Sequence, residues 1–128
     1  MHRTKEIELA IGAHGLWKSR LRTAIKTGSS DISVSVAQDD RQCAFGKWLH
    51  GTGLDPEMKR SDAYRKCIEL HRQFHIAAAG VLSLSLAGRK KEAALALDPT
   101  SEFSRISGEL TRTLMAWDTA RCSELVRK

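Results

Sequence analysis

The sequence predicts an all-α fold, an antiparallel helical bundle with three long helices and one or two short ones. Three observations predict it. Ala, Leu, Arg, Lys and Glu dominate, and only two prolines occur in 128 residues. Apolar residues recur at three- and four-residue spacing over three long stretches. Glycines and Asp-Pro pairs fall where such stretches begin or end. The length predicts one domain, residues 1–128, able to bury a core without needing metal or disulfides to fold.

Residues 3 to 27 read as one amphipathic helix. Ile7, Ile11, His14, Leu21 and Ile25 share a stripe, with Ala10 and Trp17 on its flank and Gly28 as the stop. Lys18 also falls on this stripe, where its stem can pack while its ammonium reaches water. Residues 28 to 39, polar and β-branched without helical period, read as a loop. A short helix follows over roughly 40 to 50, capped by Asp39 or Asp40 and ended by Gly51, with Cys43 in its first turn. Asp55-Pro56 opens the next helix, which is interrupted near Ser61-Asp62 and then runs to Ala87 before Gly88. Its stripe is Tyr64, Cys67, Ile68, His71, His75, Ala78, Leu82 and Leu86. Residues 89 to 97 form a short helix. Asp98-Pro99 then opens a final one to about Val126, with stripe Phe103, Ile106, Leu110, Leu114, Trp117 and Leu125. Single apolar faces of this kind are buried most simply in a bundle.

Composition narrows the function classes. A formal charge of +6 permits an acidic partner, but Arg20, Arg22, Lys59, Arg60, Arg89, Lys90 and Lys91 are spread along the chain with few aromatics between them. A solvated helical surface explains them better than a nucleic-acid footprint. The cysteines, Cys43, Cys67 and Cys122, are odd in number and widely spaced, unlike a secreted disulfide framework. The N-terminus has no signal-peptide pattern. The longest nearly apolar run, Ile76 to Ala87, is too short to span a bilayer. These features point to a reducing, cytoplasmic setting without membrane insertion.

Four residues carry the chemistry. His71 and His75 stand one helical turn apart on an apolar face, with Cβ atoms about 6 Å apart, so both rings can reach one ion. His14 sits centrally on a second apolar stripe. Cys43 lies where helix-terminal N–H groups favour a thiolate. Three neutral imidazoles and one thiolate make a complete tetrahedral donor set for Zn2+. With no position left for water, hydrolytic catalysis is disfavoured. The set suits a structural or sensory role, and its thiolate remains open to oxidants. The plainer alternative for each histidine is a core residue hydrogen-bonded across the bundle. For Cys43 it is an ordinary buried thiol, a role that Cys67 and Cys122 fit better. His2, near the terminus, and His50, at a helix end, are weaker candidates. Trp17, Trp48 and Phe74 would pack around the site, and Gly46 would let another helix approach closely.

The ordered set His14-Gly-Leu-Trp17, Cys43-Ala-Phe-Gly46-Lys-Trp48-Leu49 and His71-Arg-Gln-Phe-His75 resembles the chemoreceptor zinc-binding (CZB) domain of bacteria. The resemblance covers residues from about 7 to about 120. It implies a helical bundle with one zinc per chain, held by His14, Cys43, His71 and His75, and two-fold dimers. It also implies a cytoplasmic, non-enzymatic sensory module of chemoreceptors or diguanylate cyclases, with zinc occupancy or cysteine oxidation as the signal. The chain carries no methyl-accepting coiled coil and no GGDEF-type segment. It is therefore expected to be free-standing or excised from a longer protein, with a signalling protein or a covalently attached output domain as partner. Two rivals remain at this stage. A hemerythrin-like di-iron bundle shares the HxxxH spacing but needs more histidines and inward carboxylates. A basic nucleic-acid-binding or adaptor protein rests on charge alone.

Overall fold

The computed structural model describes the backbone of residues 5–41, 43–51 and 56–127, and the side chains within them except those of residues 5, 6, 44, 57, 58 and 118–127. Among the described residues there are seven helices and no strand: α1 (Lys5–Thr27), α2 (Val34–Gln38), α3 (Ala44–His50), α4 (Pro56–Arg60), α5 (Asp62–Leu86), α6 (Lys90–Ala96) and α7 (Glu102–Arg127). The three long helices pack on one another and bear out the all-α bundle. His2, Asp55, Cys122 and Leu125 lie outside the described residues or side chains.

The buried line of α1 is Ile7, Ala10, His14, Leu21 and Ala24, with Trp17 half-buried between them. This is an alternating three- and four-residue spacing, the seam pattern of packed helices. Ile11 and Ile25, expected on the stripe, flank it instead. Small Ala10 and Ala24 allow close helix approach, and the larger isoleucines cover the edges. Lys18 is half-buried. Gly28 ends the helix at φ 72°, a left-handed conformation natural to glycine.

Helix α5 is the centre of the molecule. It touches α1, α2, α4, α6 and α7. A helix enclosed on several sides buries more than one stripe, so Leu70, Phe74, Ala79, Val81 and Ser85 join the expected Tyr64, Cys67, His71, His75, Ala78 and Leu82 inside. Leu86, expected inside, is instead exposed, because it lies in the last turn, and Ile68 is only half-buried. Complete burial of Phe74, Leu82, Leu110 and Leu114 contributes roughly 1.5–3 kcal/mol each before entropy is counted.

Chain direction follows from the contacts. Phe74 meets Phe103 with ring centres 5.2 Å apart, and Tyr64 meets Trp117 at 6.0 Å, so α5 and α7 are antiparallel. His14 meets Phe74 at 4.7 Å, Leu21 and Leu82 line one cavity, and Lys90, just past α5, donates to the Lys26 carbonyl at the end of α1. Helices α1 and α5 therefore run the same way and α7 runs against both, so the bundle combines one parallel pair with the antiparallel packing expected. The chain returns between them through a crossover built from α2, α3 and α4.

That crossover is where sequence and structure differ most. Residues 28 to 39 were expected as loop, yet Ser33 caps α2 by accepting from the Val36 N–H at 3.2 Å. Ala37 is fully buried against the bundle, and this packing outweighs the weak helix propensity of the valines. Asp39 and Asp40 do not cap α3; Cys43 does. Ser61 caps α5 through the Tyr64 N–H, which accounts for the interruption expected near Ser61-Asp62. Asp98-Pro99 makes a turn and does not open α7. Ser101 accepts from the Ser104 N–H, so α7 begins after it.

Candidate metal centre

Three histidines converge at the middle of the bundle. His14 comes from α1, His71 and His75 from successive turns of α5, and all three are buried. Each brings a ring nitrogen within 4.8 Å of the other two. The Nε2 atoms of His71 and His75 are 3.1 Å apart. Cys43 reaches the same point from the head of α3. Its Sγ lies 3.4 Å from His71 Nε2 and 3.7 Å from His75 Nε2. Cys43 and His14 line one cleft of about 320 Å³, walled by Leu9, Trp17 and Phe45. The structure thus brings His14, His71 and His75 into one group and sets the Cys43 sulfur beside two of them, His71 and His75. His50 stands apart from them, with its Nε2 3.9 Å from Asp40 Oδ2. Cys67 is fully buried, and burial pushes its thiol up to about 12, the behaviour of an inert core cysteine.

Three of these spacings fit the donor separations of a four-coordinate cation. Tetrahedral bonds of about 2.05 Å to nitrogen and about 2.3 Å to sulfur set donors about 3.3 Å apart for two nitrogens and about 3.6 Å for nitrogen and sulfur. The His71, His75 and Cys43 distances match within a few tenths of an ångström. His14, at up to 4.8 Å, is the donor with furthest to move.

Local structure aims each donor. His75 Nδ1 donates to the Ala37 carbonyl of α2 at 2.9 Å. This places its proton on Nδ1 and leaves the Nε2 lone pair facing the cluster. His71 Nδ1 is buried without a hydrogen-bond partner, and His14 Nδ1 has at best a poorly aligned one in the Ala10 backbone one turn earlier. Rings wall the site edge-on: Phe74 and Phe45 against His14 at 4.7 and 5.9 Å, Phe45 against His71 at 5.2 Å, and Trp17 against His75 at 5.9 Å. Trp17 and Phe74 thus pack as expected. Trp48 is one ring further out, on Phe45 at 5.6 Å and Trp117 at 5.8 Å. Phe45 and Ala37 were not singled out in the sequence. Phe45 sits inside the Cys43–Leu49 motif, where its position was a usable signal. Ala37 acts through its backbone, which leaves no side-chain signature.

The conformation around Cys43 explains the glycine three residues on. Cys43 Sγ accepts the Gly46 N–H at 3.3 Å, and a Cβ on Gly46 would sit 1.8 Å from the Asp40 carbonyl oxygen. The close neighbour is the chain's own turn at Asp40 and Arg41, and not a second helix as the sequence suggested. This folded-back turn presents the sulfur to α5.

Electrostatics keep the imidazoles neutral. Burial, then the neighbouring His75, lowers His14 to about 4. Burial, with His75, His14 and His50 behind it, lowers His71 to about 2. Burial also lowers His75. Neutral rings are the form a metal binds. The Cys43 thiol behaves differently from the sequence expectation. The Gly46 and Phe45 amides do lower it, but burial is the larger effect and Asp40 adds to it, so the metal-free thiol is raised. A cation must supply the attraction that makes it a thiolate.

Comparison with curated proteins and with solved structures gives no significant match. The family model described as the chemoreceptor zinc-binding domain matches residues 14–82, a span that includes all four residues and more than half of the chain. The chain belongs to the chemoreceptor zinc-binding domain family, and the metal of this signalling domain is zinc.

Proposed function

We propose that His14, Cys43, His71 and His75 together hold one Zn2+, and that the domain is a non-enzymatic sensory module of bacterial signal transduction, of the chemotaxis or cyclic-di-GMP type. The observation that carries this reading is the Cys43 sulfur at 3.4 and 3.7 Å from two facing imidazole nitrogens. Four donors complete a tetrahedron and leave no place for a reacting water. Cys43 is the donor whose chemistry an oxidant can change. A peroxide would take its thiolate to sulfenate and itself be reduced to an alcohol or water. Because α3 has only seven residues, its displacement on loss of the sulfur donor involves few contacts. The signal would pass in the cytoplasm to a partner protein or an attached output domain, with the module paired as a homodimer. No helix of the described residues is long and apolar enough to cross a membrane, which fits this setting.

Elemental analysis of the purified protein tests the reading. One zinc per chain is expected, and a cobalt-substituted sample should show sulfur-to-cobalt charge-transfer absorption. Two irons per chain would instead mark a hemerythrin-like centre, although no carboxylate joins the three-histidine group among the described residues. Absence of metal, with salt-dependent nucleic-acid binding that chelators leave unchanged, would mark a basic adaptor.

A further inference from the structure

Helix α3 is tied to α5 at both of its ends. At its head, Cys43 Sγ faces His71 and His75. At its tail, the Tyr64 phenol O–H donates to the Leu49 carbonyl at 2.6 Å. The carbonyls of a helix's last turn have no partner within the helix, so this one is free to take an outside donor. Tyr64 is buried, and its ring is held by Trp117 at 6.0 Å.

The two ties are in register. Six residues separate Cys43 from Leu49, about 9 Å of helix rise, and seven separate Tyr64 from His71, about 10.5 Å on the same face of α5. The helices run in opposite directions, with matched spans between the anchored points. Six to seven residues is too short a rod to bend, so the position of the tail dictates that of the sulfur.

We propose that Tyr64 is a positioning residue for the Cys43 donor: by holding the Leu49 carbonyl, it sets the distance and angle at which the sulfur meets the metal. The proposal rests on the reading that Cys43 binds zinc. Tyr64 touches no metal donor and acts only through the length of α3.

The test is Tyr64→Phe, which keeps the ring and removes the hydroxyl, measured alone and together with Cys43→Ser by competition with a chelator of graded strength. Zinc affinity should fall about tenfold in the otherwise unchanged protein, the equivalent of one buried hydrogen bond. It should not fall further in the Cys43→Ser background, where there is no sulfur left to position. The cobalt-substituted Tyr64→Phe protein should also show a weaker or shifted charge-transfer band, while thermal unfolding of the chelated form confirms that it remains folded. An equal loss of affinity in both backgrounds would make Tyr64 a general structural residue and overturn the proposal, as would unchanged affinity and spectrum. Should Cys43→Ser alone leave zinc affinity unchanged, the reading of Cys43 as a donor fails first, and the role of Tyr64 fails with it.

Discussion

His75 and Ala37, 38 residues apart, are joined by a hydrogen bond of 2.9 Å from the ring Nδ1 to the backbone carbonyl. This bond makes the short helix α2 part of the metal centre. Partners behind a metal-binding histidine typically change metal affinity 10–100-fold when disturbed. Ala37 is fully buried, so Ala37→Leu has no room and must push α2 and its carbonyl outward. Zinc affinity is expected to fall by about tenfold or more, with all four donors retained, as read by chelator competition.

The two described cysteines should behave oppositely. Cys43→Ser replaces the sulfur facing His71 and His75 with a hydroxyl that stays protonated, and zinc affinity should drop at least about 100-fold. Cys67→Ser, in the apolar core, should leave zinc stoichiometry at the wild-type value while lowering stability by roughly 1–3 kcal/mol. Metal analysis after dialysis, together with urea unfolding, separates the two effects.

Gly46 and Gly80 predict opposite signs for the same substitution. A Cβ at Gly46 meets the Asp40 carbonyl oxygen at 1.8 Å, a backbone contact that cannot yield cheaply. Gly46→Ala should cost about 1–3 kcal/mol and move Cys43 out of line, lowering zinc affinity as well. At Gly80, exposed in the middle of α5, nothing lies within 4 Å. Gly80→Ala should stabilise by roughly 0.5–1 kcal/mol through reduced chain entropy. Thermal melts of the two variants give the comparison.

Acid should unfold the metal-free protein early. The three central imidazoles are held neutral in the fold, with His14 lowered to about 4 and His71 to about 2, mainly by burial. In the unfolded chain they protonate near pH 6.5. The unfolded state therefore binds more protons below that pH, and stability, intact above it, is lost as pH falls through the window from 6.5 to 4 and lower. By pH 5 the His14 ring alone accounts for roughly 2 kcal/mol. Chelated protein should show a falling melting temperature across this range, and His14→Gln should flatten the slope.

Much of this was legible in the sequence because it depends on spacing along one helix. His71 and His75 share a face whatever the rest of the chain does. The stops at Gly28 and Gly88 and the break at Ser61 are local chemistry. The approach of His14 to that pair, and of Cys43 to the same two rings, was legible through their motifs. What was not legible came from contacts between distant segments. α2 forms because Ala37 finds a seat against α5, and the burial of Phe74 and Leu70 follows from neighbours on several sides of that helix. The direction of the Cys43 shift was misjudged for the same reason. The amides of its cap are a local feature, whereas the burial that outweighs them is tertiary.

The crossover between α1 and α5 gives the cation a second consequence. A metal gripping His14, Cys43 and the α5 histidines would fasten three stretches of chain, Cys43 and His71 being 28 residues apart and His14 about as far again on the other side. In the unfolded chain each such closure removes conformational freedom equivalent to roughly 3–4 kcal/mol, on the scale of a disulfide of that loop length. Zinc would act here as a reversible staple in place of a covalent cross-link. Its departure would slacken the whole return path of the chain, well beyond the turn that carries the sulfur.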